Sequence, residues 1–133
     1  MNKKLLLLLM VAHIGFASAA DGFDRIGNKE LPAGAVLICE EHIVGEASSK
    51  PVHIDWQAFG LRAETGKIAQ FYQTQFGRPS VTNDDAQNHT WTFKGEYNEL
   101  KYSVRAASDD GPWSGCAKQL GSFKAVVLIS NKI

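Results

Sequence analysis

Residues 52–77, VHIDWQAFGLRAETGKIAQFYQTQFG, change hydrophobic period part-way along. Over Val52–Phe59 the period is two. Val52, Ile54, Trp56 and Ala58 fall on one face and His53, Asp55, Gln57 and Phe59 on the other, the pattern of a half-buried strand. From Thr65, a residue suited to an N-cap, the period lengthens, and Ile68, Phe71, Tyr72 and Phe76 recur at helical spacing. Gly77 supplies a left-handed stop, and Pro79 follows two residues on. A helix this short, apolar only along an aromatic side, must bury that side against a sheet.

Working outward, GEASSKP (45–51) is a turn by composition. Before it, AVLICEEHIV (35–44) is β-rich and continuously apolar in its first half, which predicts a strand buried on both faces with Cys39 inside it. After the helix, 78–88 is polar, with Asn83-Asp84-Asp85 as a turn cluster. Trp91 and Phe93 then alternate with threonines, Gly95–Asn98 reads as a hairpin turn, and Leu100, Tyr102, Val104 and Ala106 share one face of the return strand. Lys101, Ser103 and Arg105 of that strand are expected to face water. A long loop from Ala107 to Gly121 leads to a nearly all-apolar run, Phe123–Ser130, which reads as a central strand. The order is β-β-α-β-β-β. The expected class is α+β, a single helix packed on a mainly antiparallel five-stranded sheet.

The start of the chain carries a different signal. Lys3 and Lys4, the apolar run Leu5–Ile14 and the small residues Ala17-Ser18-Ala19-Ala20 have the form of a cleaved secretory signal peptide, residues 1–19. The run is about half of what a membrane-spanning helix needs. A polar stretch holding Gly22, Gly27, Pro32 and Gly34 makes 20–34 a loose N-terminal arm, leaving 35–133 as one small domain. Cleavage removes both early lysines, so Lys+Arg falls from 14 to 12 against 14 Asp+Glu, a formal charge of −2. With no basic run in the mature chain, nucleic acid is not an expected partner. The expected location is periplasmic or secreted, with no stable membrane insertion after cleavage. In that compartment, an even pair of widely spaced cysteines predicts a Cys39–Cys116 disulfide. Closing so long a loop constrains the unfolded chain by about 4–5 kcal/mol. The same disulfide would hold the first strand close to the last, with pairing in the sheet as one arrangement that does so.

Chemistry is sparse. His53 and Asp55, two apart on a strand, project from one face and are the candidate metal ligands. Glu40-Glu41-His42 offers the same ligand types with poorer geometry, since neighbours alternate faces. Ser114 has half of a nucleophile elbow and sits in a loop, and a nucleophilic Cys116 would have to be unpaired. Asp84-Asp85 and Asp109-Asp110 lack the spaced ligands of a calcium loop. No cofactor motif is present. The 107–121 loop, with Asp109, Asp110 and the anchor-type Trp113, is the candidate partner-binding element.

PVHIDWQAF, a helix ending FYQTQFG and the strands that follow together resemble a single βαβββ module of the vicinal-oxygen-chelate (glyoxalase-like) proteins over roughly residues 51–130. The resemblance implies a metal ligand at His53 and a partner module to complete the site. The chain departs from that pattern in its preceding strand and disulfide, and no acidic ligand stands out on its last strand. Two functional expectations follow. The first is an exported small soluble protein of the bacterial envelope that binds another envelope or extracellular protein or small ligand without catalysis, of inhibitor or immunity type. The second is a small metal-dependent enzyme or ligand-binding protein using His53.

Overall fold

A computed structural model describes residues 22–83, 88–108 and 111–133, with the backbone alone at 47, 81–83 and 117–119. The expected signal peptide (residues 1–19), residues 20 and 21 of the expected arm, and the pairs Asp84-Asp85 and Asp109-Asp110 lie outside the described residues. The strands are β1 (Val36–Ala47), β2 (Lys50–Leu61), β3 (Val81–Asn83), β4 (Asn88–Lys94), β5 (Glu99–Ala106) and β6 (Ala125–Lys132). Helix α1 spans Thr65–Phe76, and a 3₁₀ segment, Pro112–Gln119, lies between β5 and β6. The sheet order is β1-β2-β6-β5-β4-β3 and every ladder is antiparallel. The α+β class holds, with one helix on an antiparallel sheet. Within the polar stretch after α1, the short β3 adds a sixth strand at the edge. The last strand, β6, is central as expected, flanked by β2 and β5.

Both faces of the sheet are covered. On the first, α1 lies over β5 and β6 and buries Ile68, Ala69 and Tyr72 against Phe59, Leu61, Trp91, Tyr102, Val104, Val127 and Ile129. The aromatic stripe explains the fit. The Tyr72 ring lies 5.4 Å from Phe76, 5.6 Å from Tyr102 and 5.8 Å from Trp91, the spacing at which rings gain beyond their buried area. Glu64, not Thr65, stands at the cap position, with no side-chain cap bond, and Thr65 turns inward and is buried. Gly77 takes φ +79° and its N–H donates to the Gln73 carbonyl at 2.8 Å. The Gly77 carbonyl in turn accepts from Trp91 Nε1 at 2.9 Å, locking the helix end to β4.

The second face carries Ile38, Trp56, Ala58, Trp113 and Val126. Here the disulfide forms as expected, Cys39 to Cys116, with Cα atoms 6.3 Å apart. It does not report pairing of β1 with β6, because β2 lies between them; the bridge instead runs from β1 to the 3₁₀ segment over the sheet face. A register shift between Leu37 and Cys39 sets Leu37 opposite Phe59 and Cys39 opposite Ala58, and this bulge lets Ile38 and Cys39 both serve the second layer. Burial of β1 on both faces is not observed: β1 is an edge strand, and Val36, Leu37, Ile43 and Val44 are exposed. Nor do Ser103 and Arg105 face open water. Ser103 is buried and its Oγ bonds Thr90 Oγ1 at 2.9 Å, while the Arg105 guanidinium lies 5.8 Å from the Trp113 ring centre.

Residues 22–34 are not a loose arm. Phe23 bridges Glu30, and the Leu31 N–H donates to the Gly22 carbonyl at 2.9 Å, so the segment closes on itself and sends Leu31 into the core. Asp24, only 2% exposed, anchors it. Its carboxyl accepts from the backbone N–H of Gly27, from the N–H of Lys29 at 3.0 Å and from the Tyr102 hydroxyl at 2.7 Å. A Cβ at position 27 would overlap that hydroxyl, so the close approach requires glycine. Composition reads as a loose arm; one buried carboxyl with three donors overrides it.

Candidate functional site

Ser48 and Ser49 take φ +53° and +63°, the two positive values of a type I′ turn, and join β1 to β2 as a two-residue hairpin. That turn sets the register: Glu40 faces Gln57, His42 faces Asp55 and Val44 faces His53. Directly opposed residues share a face. Glu40, His42, His53, Asp55 and Gln57 therefore line one face of the hairpin, on the side of the sheet that α1 and the 22–34 segment cover.

Arg25 reaches down to this row. Its Nη1 and Nη2 donate to Asp55 Oδ2 and Oδ1 at 2.8 and 2.9 Å, a two-pronged pair, and Nη2 lies 3.4 Å from Glu40 Oε2. Gln57 closes the network: its Nε2 donates to Glu40 Oε2 at 2.9 Å, and its Oε1 accepts from the Arg25 N–H at 3.2 Å. The Arg25 hydrogen bonds hold the Asp55 carboxyl below the usual range against the opposing effect of burial; the charges of Arg25 and His42 add to the lowering. Arg25 is held charged in return, chiefly by its hydrogen bond to Asp55.

The sequence-predicted candidates separate accordingly. His53 and Asp55 do share a face, but Asp55 has both oxygens on Arg25. His53 lies instead beside His42, ring centres 6.0 Å apart and planes tilted by 46°. The histidines are diagonal neighbours across the β1–β2 ladder. Among the described residues no group of three His, Cys, Asp or Glu side chains is placed to hold a metal ion. Sequence reasoning missed Arg25, Gln57 and the union of His42 with His53. The available signal was the turn: taking Ser48-Ser49 as its centre sets His42 against Asp55 and makes the diagonal with His53.

Trp113 is not an exposed anchor. Its ring is fully buried in the second layer, under Arg105 and beside the disulfide, and a Cβ at Gly111 would strike it. The apolar area that suggested a binding hot spot is spent on covering the sheet. What the loop leaves outside is a shallow depression of about 390 Å³ bordered by Ala107, Ser108, Leu120, Gly121 and Phe123.

Exposed apolar residues lie elsewhere: Val36, Leu37, Ile43 and Val44 on β1, and Phe23, Phe93, Tyr97 and Ile133 apart from it. β2 pairs with β6 over Ile54–Leu61, whereas β1 and β2 pair out to Ala47 and Lys50, so the hairpin tip projects past that ladder, and Ile43 and Val44, level with its last pairs, are exposed. Among the described residues no helix is long and apolar enough to cross a membrane. No family model, no curated protein and no solved structure matches this chain.

Proposed function

We propose that the chain is an exported binding domain of inhibitor or immunity type, which acts by contact with another envelope or extracellular protein and not by catalysis. The observation that carries this reading is β1. It is a twelve-residue strand at the sheet edge, and Val36, Leu37, Ile43 and Val44 on it are exposed. Long open edges invite pairing with another chain and are normally blunted. An extended segment added along β1 would gain main-chain hydrogen bonds from the strand and side-chain contacts from its exposed apolar residues. The Cys39–Cys116 bridge pins the strand to the 3₁₀ segment, so the edge is held ready and loses little freedom on binding. The same disulfide supports the exported location. A metal-dependent enzyme built on His53 and Asp55 has less behind it, because Asp55 is committed to Arg25.

The test is capture from a native envelope extract with wild-type protein and with an Ile43→Lys/Val44→Lys variant, whose exposed positions tolerate charge. The proposal expects one specific protein retained by wild type and lost by the variant. Identical captured sets overturn it, as does retention of the partner by the variant together with loss in a variant of the β4–β5 hairpin, such as Tyr97→Lys.

A further inference from the structure

The geometry points to a divalent transition-metal site on the β1–β2 hairpin, with His42 and His53 as its two protein ligands. It stands apart from the proposed binding role and needs no catalysis. The rings come from adjacent strands of an antiparallel ladder, on the same face, as diagonal neighbours. Their centres are 6.0 Å apart. Two imidazoles sharing one ion at about 2.1 Å have ring centres roughly 5–6 Å apart, so small side-chain rotations bring both nitrogens onto a common ion.

The backbone under the pair is held on both sides of His53. β1 pairs with it on one flank, and on the other its N–H donates to the Ile133 carbonyl at 3.0 Å while its carbonyl accepts from the Ile133 N–H at 2.8 Å. Such support limits the ordering needed on binding. His42 is exposed and His53 is half-buried at the rim, so the ion has access and water can fill the remaining positions.

The charges around the pair suit a cation. Asp55 stands opposite His42 and Glu40 is two residues along the strand. Their two negative charges outnumber the single positive charge of Arg25, which bridges them. Asp55 then acts as a neighbouring carboxylate that favours the ion without ligating it. Two imidazoles, with no third His, Cys, Asp or Glu ligand among the described residues, select copper, nickel or zinc over magnesium or calcium. Both cysteines are in the disulfide, so no thiol competes for the ion.

The experiment is titration of the oxidised, signal-free protein with Cu²⁺ and with Zn²⁺ by calorimetry, for wild type, His42→Gln, His53→Gln and a control, His89→Gln, on β4. The expected result is one ion per chain, with affinity falling at least tenfold in either hairpin variant and unchanged in the control. Since ligand imidazoles must be neutral, binding also weakens on acidification. A second reading guards against misfolded variants: substoichiometric Cu²⁺ added to wild type should broaden backbone amide resonances of residues 40–44 and 52–56 first. No binding by wild type, affinities within threefold of it in either hairpin variant, or broadening centred elsewhere overturns the site. Capture of the β1 partner is read separately in metal-free buffer, so the two proposals fail independently.

Discussion

Replacing Asp24 with alanine should unfold more than a terminus. The carboxyl is 2% exposed and accepts three hydrogen bonds, from Gly27, Lys29 and, across the core, Tyr102. Hydrogen bonds to a charged acceptor contribute about 1.5–3 kcal/mol each, but the two backbone donors, only partly buried, recover water when the acceptor goes. The Tyr102 hydroxyl does not, since Tyr102 is fully buried. Loss of one full bond and parts of two others puts the cost of Asp24→Ala at about 3–5 kcal/mol, the size seen when one member of a buried polar pair is removed. For a domain near 100 residues that lowers Tm by roughly 12–20 °C. Tyr102→Phe alone should cost about 1.5–3 kcal/mol, and the double variant should show about 1–3 kcal/mol of coupling. Chemical denaturation of the four proteins measures the cycle, and hydrogen exchange at the Leu31 amide, which donates to the Gly22 carbonyl, reports the segment itself. Asp24→Ala within about 0.5 kcal/mol of wild type, the range of an ordinary surface change, would refute the argument. So would lost protection at Leu31 with Tm unchanged, which would make residues 22–34 a separate unit and not part of the core.

Three further outcomes follow from the structure. Reducing the disulfide, or replacing both cysteines with alanine, should cost about 4–5 kcal/mol for a loop closed over 77 residues, read by denaturation with and without reductant. Burial raises the Tyr72 phenol, and burial with the Asp24 hydrogen bond raises that of Tyr102, so the stability from both is present below their ordinary range near pH 10 and declines as pH climbs past it. In a Tyr97→Phe background, phenolate absorbance should therefore appear together with loss of ellipticity; phenolate without unfolding contradicts the packing. The Asp55 carboxyl is lowered by Arg25, so its contribution is present above about pH 4 and lost as pH falls through and below that range. Arg25 is half exposed, so Asp55→Asn should cost no more than about 1 kcal/mol at neutral pH and should flatten this acid limb; an unchanged acid profile would remove the pair from the stability of the fold.

How much of this was legible in the sequence depends on how far apart the interacting residues are. Ile68, Phe71, Tyr72 and Phe76 announce α1 because a helix writes its buried side into local spacing, and Gly77 marks its end. β6 is legible because its stretch covered on both faces, Ala125–Ile129, is apolar without a break. AVLIC at the start of β1 looks the same by that criterion, yet belongs to an edge: the bulge after Leu37 divides the run between the two layers, and a bulge leaves no compositional trace. The 22–34 segment is the sharper case. Its glycines and polar residues are those of a loose tail, and what orders it is the bond from Asp24 to a tyrosine 78 residues away, together with Arg25 reaching Asp55. The site shows the same division. His53 and Asp55 on one face follow from period two alone, but Arg25 on Asp55 and His42 beside His53 depend on long-range packing and strand register.

The strand order has a consequence for how the protein is made. β6 is the last of the six strands among the described residues and stands between β2 and β5, with Leu61 opposite Ala125 and Ala106 opposite Ala125 on its other side. Before its synthesis the chain holds two separate antiparallel groups, β1–β2 and β3–β4–β5, with no ladder between them. The two-stranded β1–β2 hairpin alone is marginal in water, and β3–β4–β5 with α1 still lacks Val127 and Ile129 of β6 from its core. Pairings that span most of the chain also form slowly, because the intervening loop must close first. If the chain is exported as proposed, it would stay threadable until nearly all of it had crossed and would close around β6 only on the far side, where Cys39 and Cys116 could then pair.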